Sequence, residues 1–201
     1  GAALRLHKRL PQGGGVGGGS SDAATALLGL NHLWQLGLNI DTLAQIGLAL
    51  GADVPVFVRG HAAFGEGVGE KLTPANPPED WFVVLKPECE INTGKIFSEQ
   101  GLTRDTPKIK IRPAFEGDAS RYRNDCEDVV RKLYPEVNQS LEWLSQFGPA
   151  RLTGTGACIF GRFPTESAAR IIWESKPSGI TGFVAKGVNI SPLHQKLTEL
   201  K

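Results

Sequence analysis

The sequence predicts an α+β fold, because strand-like and helix-like stretches mix along it without the strict alternation of a doubly wound parallel sheet. Two features organise the chain. A glycine tract joins a strand pattern to a helix pattern, and a Pro-rich stretch at 73–80 (TPANPPED) marks a boundary between domains at 1–76 and 77–201. The 201 residues are ample for a core. Lys and Arg total 22 against 21 Asp and Glu, a formal charge of +1, so no global field favours nucleic acid or an anionic membrane. No apolar run approaches the ~20 residues of a membrane span. Cys89, Cys126 and Cys158 are widely spaced and odd in number, which suggests reduced thiols in a cytoplasmic protein and neither a disulfide framework nor a zinc site.

Each element has its own signal. Residues 3–10 alternate around Leu4 and Leu6 as a short strand, which Pro11 stops. From Ser21, the residues Ala24, Leu27, Leu28 and Leu30 form a broad apolar helix, with Ser20, Ser21 or Asp22 as its cap and Gly37 just past its end. Asp41 is placed to cap a second helix closed by Gly51. Pro55 biases Val54 away from helix, and 56–72 reads as two glycine-split strands. The apolar run at 81–85 is a buried strand, and Thr93 is placed to cap a helix over 94–99. Residues 101–121 read as a long loop, followed by helices at 125–133 and 135–147. Strands at 151–153 and 157–163, a helix at 165–175 capped by Thr165, and a strand at 183–188 complete the chain.

The tract Pro11-Gln12-Gly13-Gly14-Gly15-Val16-Gly17-Gly18-Gly19-Ser20-Ser21-Asp22 carries the first chemical signal. Glycines let backbone N–H groups converge, and a helix start adds unpaired donors and a positive dipole end, so phosphate fits there. A flexible linker would not be followed by capping residues. No lysine lies between Lys8 and Lys71, which excludes a Walker A loop. Gly13, Gly15 and Gly18 match a dinucleotide fingerprint with Asp41 downstream, but a tract of six glycines produces such a match almost inevitably, and Asp41 reads as a cap.

The tract, with Ala23 and Ala24 after it, resembles the phosphate-binding motif of the GHMP kinases. Leu50-Gly51-Ala52-Asp53-Val54-Pro55-Val56-Phe57 is similar to that family's segment with the catalytic aspartate, and Leu152-Thr153-Gly154-Thr155-Gly156-Ala157-Cys158 to its C-terminal glycine motif. The resemblance implies a two-domain fold with a truncated N-terminal ATP-binding domain and a complete C-terminal domain. The longer glycine loop resembles the branch acting on diphosphocytidyl methylerythritol. This likeness implies ATP-dependent phosphorylation of that small molecule's 2-hydroxyl in the non-mevalonate (MEP) route to isoprenoids, by a monomer or weak homodimer needing ATP and Mg²⁺, with no nucleic acid or membrane partner. Homoserine or mevalonate as acceptor, and an inert phosphate-binding piece, are the alternatives.

By the same resemblance, residues 11–21 bind the ATP phosphates and Asp53 is the general base that also touches substrate. Thr93 and Phe97 face the cytidine end, and Gly154, Thr155 and Gly156 approach the substrate. The residues alone leave room for plainer roles: Asp53 as a turn aspartate bonding its own backbone, Phe97 as core, and one of Ser20 and Ser21 as a cap only. His32, His61 and His194 lack metal-ligand spacing, and no metal site is read. The family carries a phosphate-positioning lysine and adenine-binding surface ahead of the glycine loop, which this sequence lacks. A verified 21.6 kDa species of this sequence is therefore expected to show no turnover with ATP and Mg²⁺, and robust turnover in a coupled ADP-release assay would contradict that expectation.

Overall fold

The computed structural model describes residues 1–107 and 123–199. In chain order the first elements are α1 (Gly18–Leu33), α2 (Ile40–Leu50), α3 (Val54–Arg59), β1 (Ala63–Glu66), β2 (Lys71–Pro74), β3 (Trp81–Lys86) and α4 (Thr93–Ser98). They are followed by α5 (Glu127–Leu133), α6 (Pro135–Ser145), β4 (Ala150–Leu152), β5 (Ile159–Phe163), α7 (Glu166–Glu174), β6 (Thr181–Lys186) and α8 (Pro192–Glu199). The fold is α+β. Two compact units form, one from Gly1–Gly18, Phe82–Thr106 and Arg123–Ala185, the other from Gly19–Trp81 and the segment beginning at Lys186. No helix among the described residues is long and apolar enough to cross a membrane. Most of the loop expected over 101–121 lies outside the described residues.

In the unit that holds α2 and α3, Ala24 and Leu28 of α1, Leu43 and Ala44 of α2, and Val54 and Val58 of α3 form one buried cluster. Each large side chain so buried contributes about 1.5–3 kcal/mol. A Cβ on Gly47 would stand 2.8 Å from Val54 Cγ1, so this glycine sets how closely α2 and α3 approach. Leu193 and Leu197 of α8, a helix that the sequence pattern does not announce, pack on the same cluster. His194 is structural, as its spacing suggests: its Nε2 lies 2.8 Å from the Val58 carbonyl and its ring fills the space a side chain on Gly60 would need.

Local expectations fail here in instructive ways. α1 begins at Gly18, so Ser20, Ser21 and Asp22 lie inside its first turns and not at its cap. The first left-handed residue after it is Gln35 (φ 51), next to which Leu36 N–H bonds the Asn31 carbonyl, and Gly37, expected just past the helix, is left-handed too (φ 65). The cap of α2 is Asn39, whose Oδ1 accepts from Thr42 N at 2.8 Å, whereas Asp41 sits in the first turn and pairs with Arg59 at 2.9 Å. Val54, expected to be biased away from helix by Pro55, opens α3 with Pro55 next in its first turn, because a first-turn residue has no intrahelical N–H bond to lose. The strands after it are shorter than expected and pair antiparallel, Ala63 with Pro74 and Glu66 with Lys71. Residues 3–10 form no strand, since a strand needs a paired neighbour and none of the described strands takes that place.

The other unit is built on a four-stranded sheet of order β4-β5-β3-β6, with β4 and β5 antiparallel. The chain order β-α-β-β-α-β with β3 inside gives the split β-α-β arrangement. As an interior strand, β3 buries Val83, Val84 and Leu85 in succession, which is why 81–85 reads as a continuous apolar run. Val137, Leu141 and Leu144 share one face of α6, and Leu144 lies over Gly161 of β5. Thr165 caps α7 as expected, accepting from Ala168 N at 3.2 Å. Gly182 (φ 144) faces the backbone of Val84 so closely that no Cβ fits. Gly182→Ala should lower the urea-unfolding free energy by at least about 2 kcal/mol, because the obstacle is main chain and cannot rotate away.

Candidate functional site

The glycine tract leaves the extended N-terminal segment with Gly13, Gly15 and Gly17 at φ 65, 70 and 67, conformations that only glycine takes readily. Such alternating backbone presents successive N–H groups to an anion. The tract is docked onto the turn between β4 and β5. Ala157 N donates to the Gly13 carbonyl at 3.3 Å, Cys158 N donates to the Gly14 carbonyl at 3.1 Å, and the Thr153 hydroxyl donates to the Gly15 carbonyl. A Cβ on Gly14 would stand 2.6 Å from Cys158 Sγ, and one on Gly15 would stand 2.5 Å from the Thr153 carbonyl. Two stretches of main chain thus meet with no room for side chains. Burial pushes the Cys158 thiol up to about 11, so at neutral pH it is an uncharged packing group beneath the loop.

The second glycine turn is itself tightly made. Thr153 N donates to the Cys158 carbonyl at 3.0 Å and Gly156 N donates to the Thr153 carbonyl at 2.8 Å, with Gly154 and Gly156 at φ 53 and 88. Thr155 Oγ1 lies 2.8 Å from Thr93 Oγ1, so the structure joins two of the residues that the resemblance assigns to the substrate. Phe97 is 55% exposed on α4, which overturns core packing as its role. The helix carrying both is capped by Asn92, whose Oδ1 accepts from Lys95 N at 3.0 Å, and not by Thr93. The hydroxyl of Thr93 is consequently turned to Thr155.

Three neighbours of this assembly are not legible in the sequence as contributors. Thr153 lies inside the C-terminal glycine motif, which by itself gives it no role. Asn124 donates from Nδ2 to the carbonyls of Leu152 (3.1 Å) and Gly154 (2.6 Å), and nothing in the sequence around it signals this. Lys8 Nζ is 3.6 Å from the point where a Cβ on Gly18 would sit, which sets a cation beside the end of the tract.

The unit containing α2 and α3 holds Ser20, Ser21 and Asp53. Ser20 Oγ stands 3.9 Å from the Cβ position of Gly51, placing the first turn of α1 against the α2–α3 connection two residues before Asp53. Ser21 lines a cavity of about 310 Å³ together with Phe57, His61, Asn189 and Ser191. Asp53 occupies the N-cap position of α3, is exposed, and makes no capping bond with its side chain. That removes the self-bonding cap as an explanation for its presence. Gly69 of the β1–β2 turn comes within 3.0 Å of the Ala52 carbonyl, measured from its Cβ position, and supports the same connection from the other side. Among the described residues no group of three or more His, Cys, Asp or Glu could hold a metal ion.

A phosphate-type glycine loop docked on a second glycine turn, beside a split β-α-β sheet, defines a class of small-molecule kinase. The family description "GHMP kinases N terminal domain" matches residues 1–61 and "GHMP kinases C terminal" matches residues 111–175. The chain belongs to the GHMP kinases. It is 87% identical over 201 residues to the 4-diphosphocytidyl-2-C-methyl-D-erythritol kinase of Marinobacter nauticus, covering 100% of this chain and 70% of that one. It is 59% identical over 197 residues to the protein of the same name from Pseudomonas syringae pv. syringae, covering 98% of this chain and 69% of that one. A crystal structure of 4-(cytidine 5'-diphospho)-2C-methyl-D-erythritol kinase superposes with a TM-score of 0.75 at 30% identity, covering 90% of this chain and 68% of that one.

The close docking of the tract makes Gly15 the most sensitive position in it. Gly15→Ala should weaken ADP binding about tenfold or more, from the ~1–2 kcal/mol cost of a left-handed alanine added to the contact with Thr153. Calorimetric titration of ADP, with circular dichroism as a fold control, measures it.

Proposed function

We propose that the protein carrying this sequence performs ATP-dependent phosphorylation of the 2-hydroxyl of 4-(cytidine 5′-diphospho)-2-C-methyl-D-erythritol, a step of the non-mevalonate route to isoprenoid precursors. The observation that carries the reading is the glycine tract docked on the second glycine turn, in a chain 87% identical over its whole length to a kinase of that name. Residues 1–76 are assigned to the ATP-binding domain and 77–201 to the C-terminal domain, in keeping with the segments that the two family descriptions match.

Phosphoryl transfer needs its groups placed and its charge neutralised more than it needs covalent help from protein. In this reading, backbone N–H groups from Pro11 to Ser21 hold the phosphates of ATP, with the positive end of α1 directly after the tract. Asp53 accepts the proton of the attacking hydroxyl and aligns it, a role suited to an exposed carboxylate that does not cap its own helix. Thr93, Phe97, Gly154, Thr155 and Gly156 bind the acceptor, Phe97 offering a free ring face for a base. The Ser20 and Ser21 hydroxyls, in the first turn of the helix after the tract, are oxygen donors that would help hold a Mg²⁺ ion arriving with ATP. Such an ion would supply charge neutralisation for the transferring group. A cytoplasmic, monomeric or weakly dimeric state is proposed on the near-neutral charge and the three free cysteines.

The assignment of Asp53 is the part most directly open to test. In the intact protein, Asp53→Asn should lower kcat by ~10²–10⁴-fold while the dissociation constant of ATP stays within about twofold. A variant that keeps a rate within a few-fold of the parent would remove Asp53 from the chemistry.

A further inference from the structure

Behind the second glycine turn stands a side chain whose bonds all run to backbone. Asn124 precedes α5 and is partly buried. Its Oδ1 accepts from Cys126 N at 3.0 Å, while its Nδ2 donates to the Leu152 carbonyl at 3.1 Å and the Gly154 carbonyl at 2.6 Å. These three partners fix the orientation of the amide, because a flip would set its oxygen against two carbonyl oxygens and its NH₂ against an N–H. Glu127, at the start of α5, adds a fourth bond by accepting from Leu152 N at 2.9 Å. The two carbonyls that Asn124 holds flank Thr153, the residue whose hydroxyl donates to the Gly15 carbonyl.

We infer that Asn124 is a positioning residue for the phosphates of the nucleotide, acting through Thr153. By gripping the carbonyls on either side of Thr153, its amide holds that residue in the one orientation from which the hydroxyl reaches Gly15. The tract is thereby held in the form that presents its N–H groups. Asn is specifically suited to this. Asp would place negative oxygen against two carbonyls, Ala would leave both of them without a donor, and Gln is one methylene too long for the distances found. Neither Asn124 nor Thr153 needs to touch the ligand. The inference rests on the reading of residues 11–21 as the ATP phosphate site, and the experiment separates the two.

The test is a double-mutant cycle in the intact protein with ADP as the probe. Asn124→Asp, which loses two donated bonds, and Thr153→Val, which loses one, should each weaken ADP binding about fivefold to tenfold, since both release the same link to Gly15. The double variant should be no weaker than the worse single one, because both break the same link. Thr153→Ser, which keeps the hydroxyl, should bind ADP as the parent does. A purely structural role for Asn124 predicts instead that the losses multiply to about 25–100-fold, and a role for Thr153 other than its hydroxyl bond predicts that Thr153→Ser binds as weakly as Thr153→Val. Either result overturns the proposal, as does an Asn124→Asp variant within twofold of the parent. Should Asn124→Asp fail to fold, Asn124→Ser, which keeps a single donor, replaces it in the same cycle with a loss of about threefold expected. A parent that binds no ADP, or a Gly15→Ala variant that binds it unchanged, overturns the phosphate reading and this inference together. Normal parent binding with a multiplicative cycle overturns only the inference.

Discussion

Main chain can meet main chain at hydrogen-bonding distance only where neither side carries a Cβ in the way, and that condition governs the contact between the glycine tract and the turn between β4 and β5. Gly14 and Gly15 stand against Cys158 and Thr153 with no space for a methyl group, while Ala157 N and Cys158 N donate directly to the tract. The cost is entropic, since glycine loses the most conformational freedom on folding. The docked turn offsets that cost by supplying bonds that a free glycine loop would lack. A loop held in this way meets an anion with its donors already placed, without having to order them on binding.

The same contact explains features that otherwise look unrelated. The sheet order puts β5 inside and β4 at an edge, so their connecting turn projects from the sheet and can receive another segment. Cys158 is buried not as a nucleophile but as the floor under Gly14, and its raised pKa follows from that burial. Thr93 leaves the capping of α4 to Asn92, which frees its hydroxyl for Thr155. Thr93 thus gives up a local role for a bond to the turn.

Asp53 illustrates the complementary constraint. The α2–α3 connection is short and enclosed by glycines: Gly51 ends one helix, Gly47 brings the helices together over Val54, and Gly69 meets Ala52. Val54 and Val58 are buried in the cluster with α1 and α2, which anchors α3 from its first residue. An exposed carboxylate at the start of an anchored helix has a defined position without being consumed by a capping bond. That combination suits a group that must accept a proton from a ligand.

Where the physics is local, the sequence carried the information by itself. The apolar run at 81–85, the Thr165 cap, the helix spacing around Leu43 and Leu141, and the left-handed glycines of both turns depend on neighbours a few residues away. So did the position of the phosphate-type tract and of Asp53. Competing local signals were resolved only in the folded structure: Asn39 caps α2 while Asp41 pairs with Arg59, Pro55 was absorbed into a first turn, and residues 3–10 stayed extended without a partner strand. The tertiary structure alone decided the rest. Thr153 and Gly15 are 138 residues apart, and Asn124 lies 30 residues from Gly154. A side-chain amide that serves two distant carbonyls leaves no periodicity, cap or spacing in the sequence, because its partners are backbone atoms that every residue has.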